Sequence, residues 1–279
     1  MKIKEIIELT VKKIDDLEEF SREQYKYIFR GQSNNTWGLN TTFERVVKEL
    51  PKDRLTYQED LVRFEFKRQA HHYINHTPKS ELEWLALMQH YGCPTRLLDF
   101  TRSFWVGLFF ALDESVQDAA LWVIDISSEE KEKTNDEAWK FNITSKYNEK
   151  AEAEVEQILA MSKNPEQISK INQGIIIAEP KYMNDRLRIQ QGVFTFPKDI
   201  TSSYYDNLIS SGRAVKKITI PKKFHGDLLR KLYRMNITSS TLYPGLEGYA
   251  RSMKNHILID KEYQKQVNKD LDTIFKNFD

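Results

Sequence analysis

A single cysteine, Cys93, stands in the 279 residues, so the chain can close no internal disulfide and offers no thiolate cluster for zinc. A reducing compartment fits that usage, and a cytoplasmic location is expected. Glycine and proline are scarce, 10 and 8 in number, which leaves few places for a flexible linker and favours one domain over residues 1–279. Neither sign of charge dominates. Forty-two Lys and Arg against 41 Asp and Glu give a formal charge of +1, so no global field steers nucleic acid and none marks an acidic scaffold. Apolar runs stay well short of the roughly 18 to 20 residues of a membrane helix, and the first residues lack the basic and apolar regions of a secretion signal. Neither export nor a membrane partner is therefore expected. A Gly-rich phosphate loop and a dinucleotide fingerprint are also missing, which removes support for triphosphate hydrolysis and hydride transfer.

What is present is a substantial apolar fraction, 40% hydrophobic and 12% aromatic, enough to bury a core at this length. Ile3, Ile6, Ile7, Ile14 and Leu17 fall at helical spacing and predict an amphipathic helix over residues 1–20. Tyr25 to Phe29 reads as a strand that delivers Arg30 at its end. Thr56 with Glu59, and Ser80 with Glu83, have capping-box spacing and each predict a helix start, the second helix stopping at Gly92. Thr95 to Thr101 predicts a strand; Ser103 then caps a helix, Phe104 to Leu112, that is apolar on every side. Ala119–Ile126, Gly174–Ala178, Val193–Phe196 and Lys217–Ile220 are strand-like. Residues 127–173, rich in Glu, Lys, Asn and Gln, predict a helical insertion on the periphery. Leu228, Leu229 and Leu232 share a helix face, and Lys261 to Phe278 predicts a helical tail within residues 251–279.

Four polar blocks punctuate this pattern: Tyr27-Ile28-Phe29-Arg30-Gly31-Gln32, His90 through Ser103, Arg188-Ile189-Gln190-Gln191-Gly192-Val193-Phe194 and Leu242 through Gly248. In that order they resemble the motifs of the FRG domain family, over a core of about residues 25–250. Phe104 follows Ser103 where a proline is expected in many relatives. A weaker resemblance, to ADP-ribosyltransferases, rests on three stations: Arg30, then Thr101 and Ser103, then Gln190 and Gln191. Together the resemblances imply an α+β fold with a split antiparallel or mixed β core of ADP-ribosyltransferase-like type, surrounded by helices. They imply NAD as a co-substrate, a protein or nucleic-acid acceptor, and a setting in toxin or phage-defence systems.

Dinucleotide cleavage at the nicotinamide ribose passes through an oxocarbenium-like state, so a site must hold the pyrophosphate, fix the ribose and stabilise positive charge. Arg30 can fork onto a phosphate, with Gly31 letting a ligand approach the backbone and Gln32 beside it; a structural ion pair is the alternative. Ser103 can present a hydroxyl and helix-start N–H groups to an anion, or serve only as a cap. Arg96 can orient a ligand and Asp99 serve as a general acid, or the two simply pair with each other. Gln190 and Gln191 can bind a ribose hydroxyl or amide, or form a polar strand edge. A neutral Gln stands where the transferases place a carboxylate; Glu247 in the last block is the substitute, or else complements a helix dipole. The catalytic set is therefore expected to be Arg30, Ser103, Gln191 and Glu247, with Gly31, Gln32, Arg96, Asp99, Thr101 and Gln190 binding ligand. A non-catalytic nucleotide- or nucleic-acid-sensing domain is the competing reading, with Tyr25, Tyr27, Trp37 and Trp105 available for stacking. His72 and His76 lie one helical turn apart without the rest of a metal motif, so no metal is expected. His90 beside Cys93 suggests a cysteine hydrolase only weakly.

Overall fold

Alternating apolar residues and short turns give the chain its strands, and in the computed structural model, which describes residues 6–126 and 139–254, seven of them form one mixed sheet. In chain order they are β1 (Ile7–Thr10), β2 (Tyr27–Gln32), β3 (Leu98–Thr101), β4 (Ala119–Asp125), β5 (Ile175–Ala178), β6 (Gly192–Pro197) and β7 (Val215–Ile220). Their order across the sheet is β1-β7-β4-β2-β3-β6-β5. β1 and β7 run parallel, and all the other neighbours run antiparallel. The helices are α1 (Glu18–Arg22), α2 (Thr42–Val46), α3 (Leu55–Ala70), α4 (Glu81–His90), α5 (Phe104–Leu112), α6 (Trp139–Met161), α7 (Pro165–Ile168), α8 (Asp185–Ile189), α9 (Tyr204–Ser210), α10 (His225–Arg234) and α11 (Ser239–Leu242). A further helical stretch, α12, covers residues 246–254.

The two faces of the sheet bury different residues of the same strands, as the period of two requires. On one face Phe29, Leu121 and Val123 meet α5 and the Leu228–Leu232 face of α10; on the other Ile28, Trp122 and Ile124 meet Phe100, Val193 and Tyr204. Ser103 caps α5, its hydroxyl accepting from the Val106 N–H at 3.4 Å. Two glycines bring α5 onto β2. A Cβ on Gly31 would lie 2.2 Å from the Ala111 nitrogen, and one on Gly107 would lie 2.7 Å from the Phe29 Cβ. Gly31 is thus required by helix–strand packing.

The structure corrects several sequence expectations. The helix over residues 1–20 is instead, from Ile7 onward, strand β1 followed by a 3-10 turn at Ile14–Leu17 and the short α1. The parallel ladder from Ile7↔Lys216 to Thr10↔Thr219 outweighs the local helical spacing. β2 runs on to Gln32, so Arg30 lies inside the strand, opposite Trp122 of β4. Thr56 caps nothing: α3 begins at Leu55 without a side-chain cap, and Glu59 is turned inward. Ser80 does cap α4 through the Glu83 N–H, while the Glu83 carboxylate accepts from the Lys79 N–H at 2.7 Å. Gly92, with φ +79°, ends that helix as expected. Where it is described the insertion is mainly helical, but it is not merely peripheral: Ala151, Val155 and Leu159 of α6 are buried with Leu82, Leu85, Ile176 and Phe196. The expected tail helix lies outside the described residues. Among the described residues no helix is long and apolar enough to cross a membrane.

Candidate functional site

The seams on either side of β2 are unequal. β2 and β4 are in register at six positions, from Tyr27↔Asp125 to Gln32↔Ala120, whereas β2 and β3 meet only at Phe29↔Thr101. Beyond that point the Arg30 side chain replaces the ladder, its Nη1 donating to the Asp99 main-chain oxygen at 2.7 Å. A cavity of about 320 Å³ occupies the opening, lined by β2, β3, α4, α8 and Tyr243.

Arg30 enters this cavity with its hydrogen-bonding capacity only partly used. Nη1 stands 3.8 Å from Asp99 Oδ2, and the buried Nε has no partner. Burial pushes the guanidinium below its ordinary pKa, with Asp99 opposing the shift. The Asp99 carboxylate also accepts from Gln89 Nε2 of α4 at 2.9 Å.

The third and fourth blocks are stitched to β3 from the other side. Thr101 Oγ1 donates to the Gln190 main-chain oxygen at 2.7 Å and accepts from the Ser103 N–H at 3.0 Å. The Gln190 carboxamide donates to the Leu242 oxygen at 3.0 Å, and the Arg102 N–H donates to the Gln191 oxygen at 3.0 Å. Gln191 adopts a left-handed φ of 49° at the turn into β6. Arg30, Gly31, Asp99, Thr101 and Gln190 therefore line one cavity.

The remaining expected site residues are elsewhere. Arg96, 1% exposed, does not pair with Asp99. Its Nε and Nη2 hold both oxygens of Glu59 at 2.6 and 2.7 Å, Nη1 reaches the Lys198 oxygen at 3.2 Å, and the guanidinium lies 4.5 Å from the Phe196 ring centre. That arrangement satisfies a buried charge. Gln32 donates to the Gly38 oxygen at 3.0 Å and accepts from Trp122 Nε1 at 2.6 Å, away from the cavity. Ser103 is buried in its cap, Gln191 points to solvent, and Glu247 pairs with Arg251 at 3.1 Å; none of the three lines the cavity.

Sequence reasoning named Tyr243 only within the fourth block and gave no site role to Arg186, Gln89, Phe110 or, apart from Cys93, to His90, all of which line the cavity. Arg186 sits on α8, whose start Asn184 caps through the Leu187 N–H at 2.8 Å. Its guanidinium lies 4.8 Å from the Tyr243 ring centre, and among the described residues it has no ion pair. The available signal was its place two residues ahead of Arg188. Burial lowers the pKa of His90, Arg186 acts in the same direction and Glu247 opposes both. Among the described residues no group of three or more His, Cys, Asp and Glu is arranged to hold a metal ion.

Two guanidinium groups and one carboxylate around an aromatic-lined opening in a mixed sheet describe an α/β protein with a cleft suited to an anionic ligand. Residues 25–120 match the family model of the FRG domain. The matched span includes Arg30, Asp99 and Thr101 and ends before the Gln190 and Tyr243 blocks that complete the cavity. No match was found among curated proteins or among solved structures.

Proposed function

We propose that the cleft binds NAD or a related nucleotide and that the protein cleaves it or transfers ADP-ribose to a protein or nucleic-acid acceptor. One observation carries this reading: Arg30, Thr101 and Gln190, far apart in the chain, line the same cavity in the order an ADP-ribosyltransferase-like core requires. The opening between β2 and β3 is then the split of that core. Arg30, with its unpartnered Nε, and Arg186 are the groups for the pyrophosphate. Phe110 and Tyr243 offer ring surface to a base or to nicotinamide. His90 and the Thr101 and Gln190 block supply hydrogen-bonding groups for ribose.

The test is to incubate the protein with NAD, measuring nicotinamide release and, by calorimetry, binding. Saturable binding with release that Arg30→Ala diminishes is expected; absence of both contradicts the reading. A second reading, a non-catalytic sensor of a nucleotide or nucleic-acid end, is favoured by the neutral Gln at the third block and the engagement of Glu247 with Arg251. Of the four aromatic residues considered for stacking, Tyr25 and Trp37 are 62% and 53% exposed, whereas Tyr27 and Trp105 pack against the core. Tight binding without nicotinamide release supports this second reading.

A further inference from the structure

The third block carries no carboxylate, yet cleavage of a nicotinamide riboside bond needs negative charge beside the anomeric carbon. We infer that Asp99 supplies that charge and that Gln89 positions it, an assignment that rests on the reading of the cleft as a NAD-cleaving site. Asp99 is the one Asp or Glu among the described residues lining the cavity. Its side chain is 55% exposed, so a ligand reaches it.

The carboxylate is oriented without being consumed. Oδ2 accepts from Gln89 Nε2 at 2.9 Å. The Arg30 guanidinium, 3.8 Å from the same oxygen, makes its hydrogen bond to the Asp99 main chain instead. Oδ1 has no hydrogen bond among the described residues and is left for the ligand. Gln89 is itself held, because its Oε1 accepts from the Thr95 hydroxyl, and the Thr95 N–H donates to Thr42 Oγ1 of α2 at 2.9 Å. A chain of polar contacts thus runs from α2 through α4 to the carboxylate, fixing its angle to the cleft.

In the reaction, the bond between ribose C1 and the nicotinamide nitrogen breaks, and its electron pair leaves with neutral nicotinamide. Asp99 Oδ1 stabilises the oxocarbenium ion left behind. Water or an acceptor hydroxyl then forms the new C–O bond while Oδ1 accepts its proton, which passes on to solvent. With water the products are ADP-ribose, nicotinamide and one proton.

The experiment compares wild type, Asp99→Asn, Asp99→Glu, Gln89→Leu and Glu247→Gln, measuring nicotinamide release under saturating NAD and NAD affinity by calorimetry, with circular dichroism to verify folding. Asp99→Asn is expected to lower kcat by about 100- to 1,000-fold while Kd stays within about threefold of wild type. Asp99→Glu is expected to keep part of the rate, and Gln89→Leu to lower kcat by up to about 100-fold, again with little change in Kd. If wild type releases nicotinamide and Asp99→Asn retains its kcat, or loses only affinity, the assignment is overturned and the reading of the cleft stands. Loss of release in Glu247→Gln alone overturns it equally. If wild type binds NAD without releasing nicotinamide, Asp99 has no such role and the sensor reading holds. If it binds no NAD, the reading of the cleft falls and this assignment with it.

Discussion

Arg96 and Arg30 flank the same central strands and have opposite surroundings. Arg96 lies under α3, where Glu59, main-chain oxygens and the Phe196 ring satisfy it on every side. Arg30 stands where β2 and β3 part, with one short bond to a main-chain oxygen, a distant carboxylate and a buried Nε with no partner. The first is a closed structural pair. The second is a cation that lines a cavity with part of its hydrogen-bonding capacity unused, and that contrast separates a scaffold residue from a ligand residue better than either motif does.

Breaking the closed pair gives the largest expected effect. Glu59→Ala leaves the Arg96 charge buried without its carboxylate, and urea unfolding should show a loss of about 3–5 kcal/mol; a loss below about 1 kcal/mol would show that the pair is not structural. Gly31→Ala follows. The added methyl meets backbone atoms of α5 at 2.2–2.7 Å, and pushing that helix off β2 should destabilise the protein by about 1–3 kcal/mol or more in the same assay. Arg30→Ala sharpens the comparison from the other side: stability should change by less than about 1 kcal/mol, while NAD affinity by calorimetry falls roughly 10- to 100-fold, the worth of a charge-assisted hydrogen bond. An equal loss of stability in Arg30→Ala and Glu59→Ala would erase the distinction.

The smallest effect concerns pH. Burial holds the imidazoles of His90 and His225 below their ordinary value of 6.5. Between that value and the depressed folded one the unfolded chain binds more protons than the folded chain, so this contribution to stability is complete above about pH 6.5 and is lost as pH falls below it. Thermal melts should therefore show Tm decreasing by a few degrees from pH 7 to pH 5, less so in His225→Gln. A Tm unchanged over that interval would show that neither histidine contributes.

Much of the sheet was legible because β4, β5 and β6 are short, largely apolar runs between turn signals, and α5 because nine successive positions from Phe104 to Leu112 hold no charge. β1 was not, since its pairing is with β7, more than 200 residues away, and Ile6, Ile7, Ile14 and Leu17 fit a helix equally well. The cavity was half legible. Arg30, Asp99, Thr101 and Gln190 were named from the blocks that hold them. Arg96 looked identical in kind, but its fate depends on Glu59, 37 residues earlier on a helix that turns charge inward. Gln89 and Arg186 escaped notice because an α4 glutamine and an α8 arginine acquire meaning only when their helices converge on the opening between β2 and β3.

The most direct measurement is a crystal structure of the protein grown with ADP-ribose. The account predicts ligand density in the cavity beside β2 and β3, with the pyrophosphate at hydrogen-bond distance from the Arg30 guanidinium. Density for the ligand on another face, with Arg30 still bonded only to the Asp99 main chain, would contradict it.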